Sequence, residues 1–128
     1  MNDHKIVTRV AVLWKDEEGI IHSVVNPGAD MVLDDMKDIA HARFELAGQA
    51  KAPVMVDIRE IQSVDREARM YMAGPEGEKA TSALAFIIKS KVGEILGNVF
   101  INFNKPGFPT RMFTTEEEAL DWLRKFLK

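Results

Sequence analysis

Hydrophobic and polar positions alternate along residues 6–14. Ile6, Val10, Val12 and Trp14 fall on one side of an extended chain, and Val7, Ala11 and Leu13 on the other. The pattern predicts a strand with two mostly apolar faces. Residues 15–19 are a polar turn in which Gly19 is free to take a positive φ. Residues 20–25 are short and rich in β-branched side chains. Their closeness to the first run predicts an antiparallel hairpin, ended by Asn26-Pro27-Gly28.

A helical period then takes over across residues 32–47. Met36, Ile39, Ala40, Phe44 and Ala47 recur on one side, and Asp34, Asp35 and Asp38 cluster early, where the helix dipole favours negative charge. Gly48 suits the residue just past the helix end. Pro53 precedes an apolar run, 54–58, that predicts a buried strand. A weaker helix spans 63–73 and is stopped by Gly74-Pro75. Residues 83–88 are apolar without alternation, as expected of a strand covered on both faces.

Ser90 is placed to cap the next helix, where Val92, Ile95, Leu96, Val99, Phe100 and Phe103 follow the spacing of a core-facing stripe. Gly93 and Gly97 sit one turn apart in it. Each lowers intrinsic helicity by about 1 kcal/mol, which points to close packing against a neighbouring element. Residues 105–109 are a turn-rich loop and 110–113 a short last strand. Thr114 and Thr115 with the glutamates after them offer a capping box in either of two registers, worth roughly 1 kcal/mol. Ala119, Leu120, Trp122, Leu123, Phe126 and Leu127 form the inward side of the last helix, and Arg124, Lys125 and Lys128 suit its C-terminal end.

The resulting order is ββαβαβαβα, an α/β class. Single helices between strands imply right-handed parallel crossovers, while the opening hairpin makes the sheet mixed. The runs 54–58 and 83–88 are expected side by side and buried, since neither shows a polar face. No repeat, low-complexity tract or linker divides the 128 residues, so a single domain over 1–128 is expected.

Composition narrows the function classes. A hydrophobic fraction of 46% with 29% charged residues excludes disorder. There are 17 basic and 20 acidic residues, a net charge of -3. The acidic excess lies in the first half and neither half is basic, which argues against nucleic acid as a partner. Cysteine is absent, removing disulfides, thiol nucleophiles and cysteine metal sites. The longest apolar run, 83–88, is too short to span a bilayer, and no leader-like segment opens the chain. A cytoplasmic protein is the expectation.

The stretch from Val54 to Ala68 carries a resemblance. Asp57 follows an apolar strand, Asp65 comes eight residues later, and Ile61 is the apolar position between them. This resembles the STAS domain of the SpoIIAA-like anti-sigma-factor antagonists, with its short curved mixed sheet and β-α crossovers. More narrowly, Asn104-Lys105-Pro106-Gly107-Phe108-Pro109-Thr110-Arg111-Met112-Phe113 and Ala119-Leu120-Asp121-Trp122-Leu123 look like the tail of an uncharacterised bacterial SpoIIAA-like group. The departure matters as much as the match. Arg66 stands where the antagonists carry their phosphoacceptor serine, Glu67 at the next hydroxyl position and Ala68 at the glycine. The resemblance therefore implies the fold and a partner-docking surface without the phosphorylation switch.

Candidate chemistry follows from single residues. Asp57 sits at the carboxyl edge of a buried strand, where open α/β sheets place function; alternatively it accepts backbone N–H bonds from the following loop. Asp65 is a partner contact or a helix cap, with Ser63 as the rival cap. Arg59, Arg66 and Arg69 cluster around the same loop, and a helix would put Arg66 and Arg69 on one face. They suit an acidic partner or a phosphate group, or else a solvated surface neutralised by Glu60, Asp65 and Glu67.

His4, His22 and His41 lack metal-ligand spacing. Ser63, Ser82 and Ser90 lack a nucleophile elbow, and Gly74-Pro75-Glu76-Gly77 lacks the Lys-Ser/Thr of a nucleotide loop. The adjacent Asp34 and Asp35 point in different directions on a helix. No cofactor and no enzymatic activity is expected.

The leading expectation is a regulatory, protein-binding domain that docks its partner through Asp57, Arg59, Ser63, Asp65, Arg66 and Arg69. The alternative is a carrier or sensor of a small apolar, lipid-like ligand held between sheet and helices, with Met55, Met70, Met72 and Met112 as adaptable lining. The broader fold relatives of the STAS domain include the CRAL-TRIO lipid carriers. A homodimer is a further expectation, from the exposed strand edges of a small open sheet.

Overall fold

The computed structural model describes residues 4–127, so Lys128, expected at the last helix end, lies outside the described residues. Chain order begins with strands β1 (Lys5–Val7), β2 (Ala11–Lys15), β3 (Ile21–Val25) and the short β4 (Asp30–Met31). Helix α1 (Leu33–Leu46) leads to β5 (Ala52–Asp57), the short β6 (Ser63–Val64), α2 (Arg66–Ala73) and α3 (Pro75–Glu78). Strand β7 (Thr81–Ile87), α4 (Lys91–Val99), a π-helical turn (Phe100–Asn104), β8 (Thr110–Phe113) and α5 (Glu116–Leu123) with a final 3₁₀ turn complete the chain.

Six strands form one sheet in the order β1-β2-β3-β5-β7-β8. β1, β2 and β3 are antiparallel neighbours; β3, β5, β7 and β8 are parallel. The mixed sheet is thus as expected, with β5 and β7 buried and adjacent at its centre. β4 and β6 pair separately.

Three local expectations need correction. Residues 6–14 are two strands rather than one. Thr8 breaks the run: its N–H donates to the Ala11 carbonyl at 2.8 Å and its Oγ1 accepts from the Ala11 N–H, so Ile6 folds back against Leu13. Alternation alone cannot reveal such a fold-back, because β1 and β2 keep the same period. Second, Pro53 lies within β5, at a register irregularity between Ala52 and Pro53 where the missing N–H interrupts no regular ladder. Third, residues 63–65 are not helical. Ser63–Val64 pairs with β4, and α2 starts only after Asp65, whose side chain accepts from the Ala68 N–H at 3.0 Å.

The continuous apolar runs are explained by two cores. Val54 and Val56 of β5 and Leu84 of β7 face α1 and α2, while Met55, Ala83, Ala85 and Ile87 face the other way, toward Ala119 and Leu123 of α5. Gly19 takes φ 101 in the β2–β3 turn, as its position requires. Gly97 lets α4 approach the sheet closely, since a Cβ there would lie 2.4 Å from Met112 Sδ.

The α4 stripe is only partly buried. Phe100 is in the core, but Val92, Ile95 and Phe103 are exposed, Phe103 at 80%. The small face carrying Gly93 and Gly97 is turned inward instead. Beyond Val99 the helix widens: the Lys105 N–H donates to the Phe100 carbonyl, an i→i+5 bond, at 3.1 Å. In that wider turn, three residues no longer return to the same face, so Phe103 leaves the side that Phe100 occupies. Helix α1 buries Met36, Ile39 and Ala40 as expected and departs only in its last turns. Phe44 is half-buried, and Arg43 takes the core position.

Candidate functional site

The six residues singled out from the sequence divide between two places. Asp57 and Arg59 lie at the carboxyl end of central strand β5, beside Glu60 and Lys89. Asp57 Oδ1 accepts from the Arg59 backbone N–H and Nε, each at 3.0 Å, and Oδ2 from Arg59 Nη2 at 2.7 Å. The same guanidinium donates to Glu116 Oε2 at 3.0 Å. Burial pushes the Asp57 carboxyl up, but the side-chain and backbone bonds from Arg59 outweigh it and hold it below the ordinary carboxylate range. The Asp57 carboxylate in turn raises the Arg59 guanidinium. This arrangement is closed on itself, and Arg59 tethers β5 to the start of α5.

Ser63 Oγ donates to the Asp30 carboxylate, fastening β6 to β4. Asp65 caps α2. Arg69 is also committed internally: Nη1 donates to the Val64 carbonyl at 2.6 Å and Nε to Asn104 Oδ1 at 3.2 Å. Of these six residues, only Arg66 is exposed with no hydrogen bond or ion pair to the described residues.

Arg66 and Arg69 do share one face, as helical spacing predicts. They border an open groove between α2 and the π-helical turn, with Met70, Val99, Phe103 and Asn104. Val99 at the end of α4 and Phe103 in the π-helical turn line this groove with Met70. The groove therefore sets apolar side chains beside one unpaired cation.

Beneath α1 and α2 lies an apolar cavity of about 50 Å³. It contains a group that the sequence reading missed. Arg43 is 3% exposed. Its Nη1 donates to Met72 Sδ at 3.1 Å, a weak acceptor, and its Nε has no partner. Burial alone lowers this guanidinium to about 10. The Ser23 hydroxyl, 1% exposed, borders the same cavity and is also without a partner. The signal was available: Arg43 lies on the stripe Met36, Ile39, Ala40, Ala47, at a position where a core helix carries an apolar residue.

Elsewhere, His22 is half-buried on β3, stacked on Trp14 at 5.0 Å between ring centres and 2.8 Å from Asp16 Oδ2. Asp35 is buried and bound bidentately by Arg9, at 2.8 and 2.6 Å. Among the described residues, no group of three or more His, Asp and Glu side chains is placed to hold a metal ion, and no helix is long and apolar enough to cross a membrane.

Comparisons agree with this fold. A family model described as a domain of unknown function, DUF7793, matches residues 13–127. No curated protein matches the chain. Among solved structures, an uncharacterised protein of the DUF3478 family from Shewanella loihica PV-4, with a SpoIIAA-like fold, superposes with a TM-score of 0.63. It shares 16% identity and the match covers 96% of this chain and 98% of that one. At that identity the likeness establishes the SpoIIAA-like fold and nothing further.

Proposed function

Because the chain belongs to the DUF7793 family, whose description carries no activity, we propose its function from geometry: a non-enzymatic regulatory domain that docks another protein in the groove between α2 and the π-helical turn. The observation that carries this reading is the exposed Phe103 and Met70 beside the unpaired Arg66. An aromatic anchor next to a free guanidinium is the composition of an interface hot spot. The partner segment that complements it is acidic and amphipathic, since the groove carries no carboxylate of its own. Arg66 occupies the first position of α2, where the SpoIIAA-like antagonists that the sequence resembles carry their phosphoacceptor serine. Its charge is permanent, so docking here is constitutive.

A lipid carrier is the weaker reading on volume. The cavity of about 50 Å³ falls well short of the roughly 150 Å³ that admits benzene.

The test is co-purification from the native cell with Arg66→Glu/Phe103→Ser. Both side chains are solvent-exposed, so circular dichroism and melting temperature stay nearly constant while the partner is lost. Full retention of the partner at ordinary salt refutes the docking face.

A further inference from the structure

We propose that β8, an outer strand of the sheet, pairs antiparallel with β8 of a second copy of this chain, across a two-fold axis at Met112. This surface shares no residue with the groove between α2 and the π-helical turn and is independent of the docking reading.

The edge is open. β8 ends the strand order and bonds to β7 on one side only. The Pro109 and Phe113 carbonyls accept from the Leu84 and Ile88 N–H groups, each at 2.9 Å. Alternate residues of a strand face its neighbour, so the backbone groups of Thr110 and Met112 point away from β7. A hollow touches Arg111, Met112, Phe113 and Thr114 together. Successive side chains of a strand lie on opposite faces, so a hollow that meets all four runs along the edge. Unpaired N–H and C=O groups of this kind are a template for another strand. β8 carries neither a bulge nor a proline to prevent it.

The strand fits itself. About Met112, an antiparallel pair sets Thr110 opposite Thr114, Arg111 opposite Phe113, and Met112 opposite its equivalent. The two Met112 residues exchange both backbone bonds, the threonines stand where a hydroxyl pair forms, and no like charges face each other directly. Charge complementarity comes from Arg111 and Glu118. The Arg111 guanidinium is exposed, makes no hydrogen bond or ion pair to a described residue, and lies over the rings of Phe113 and Trp122 at 5.1 and 5.8 Å. Glu118 borders the same hollow and is also exposed, and its carboxylate accepts only from the Thr115 hydroxyl, at 3.1 Å. Arg111 of one copy, set across from Phe113 of the other, enters the hollow where Glu118 stands. Neither charge has an ion-pair partner within the described chain, and the two-fold axis gives one to each. Pairing over so short a strand puts the interface at the small end of the size range, below about 1,200 Å², so the dimer forms at micromolar protein.

Sedimentation velocity of the full chain, from low micromolar to millimolar protein, shows a monomer passing to a dimer. Arg111→Glu sets two carboxylates together at each ion-pair position. It weakens association by more than about tenfold while circular dichroism and melting temperature hold, and Arg111→Glu/Glu118→Arg restores the dimer. On the unaltered protein, amide exchange at Thr110 and Met112 slows as concentration rises, with no change at Arg66. A monomer at every concentration overturns the proposal. So does a dimer that Arg111→Glu leaves intact, a charge swap that fails to restore it, or a dimer lost only with Arg66→Glu/Phe103→Ser, which places self-association in the groove. Exchange at Met112 that does not depend on concentration overturns it whether or not the variants fold.

Discussion

Arg43→Met is expected to stabilise the protein. The guanidinium is 3% exposed and has no carboxylate partner among the described residues. Burial lowers it to about 10 from an ordinary value near 12.5. At about 1.4 kcal/mol per tenfold change, holding this charge in the folded state costs on the order of 3 kcal/mol. The contact from Nη1 to Met72 Sδ returns at most about 1 kcal/mol, as a bond to a weak acceptor. A methionine in its place fills similar space without a charge, leaving a net gain of about 2 kcal/mol. That corresponds to a melting temperature higher by roughly 6–10 °C for a chain of this size.

Urea unfolding followed by circular dichroism measures the gain directly, with an unchanged slope showing that the unfolded state is unaffected. The pH dependence supplies a second check. A base whose folded value is depressed destabilises fully below about 10, and the penalty fades as pH rises toward the unfolded value. The difference between the two proteins therefore narrows above pH 10. If Arg43→Met is instead less stable by more than about 1 kcal/mol, the guanidinium is anchored by compensating interactions.

Three further outcomes follow from the geometry. Gly77→Ala unfolds or destabilises the protein by more than about 2 kcal/mol, because its Cβ would lie 1.6 Å from the Met72 carbonyl oxygen; a melting curve within about 0.5 kcal/mol of the original refutes it. The carboxyls of Asp16, Asp35 and Asp57 are all held below their ordinary range, so their stabilisation is complete above the unfolded value near 4 and is lost as pH falls through the folded values. Urea midpoints should drop steadily below about pH 5, and Asp35→Asn should flatten part of that slope. Arg69→Glu lowers stability measurably, since it breaks bonds to Val64 and Asn104, whereas Arg66→Glu does not; equal melting temperatures for the two variants contradict the division of roles.

The amino-acid pattern alone determined the alternation of the main strands and helices from β3 onward, the mixed sheet and the central pair β5 and β7, but not the β1–β2 fold-back or the short β4, β6 and α3. The features it determined depend on local periods and on apolar runs too long and unbroken to face water. It also placed Asp65 near the start of α2 and Gly19 in its turn, because caps and turns are decided within a few residues. Resemblance added the SpoIIAA-like fold. Tertiary structure alone decided which charges are free. Arg59 and Arg69 look as available as Arg66 in the sequence, yet one is taken by Asp57 and Glu116 and the other by Val64 and Asn104. Asp57 and Val64 are near in the chain, but Glu116 and Asn104 lie 57 and 35 residues away, so no local pattern records that both guanidiniums are fully committed. The same holds for Phe103, turned outward by a single π turn, and for Arg43, whose isolation in the core depends on what β3, α1 and α2 fail to bring beside it. Period and propensity describe a residue's own element, while solvation and pairing belong to the elements packed against it.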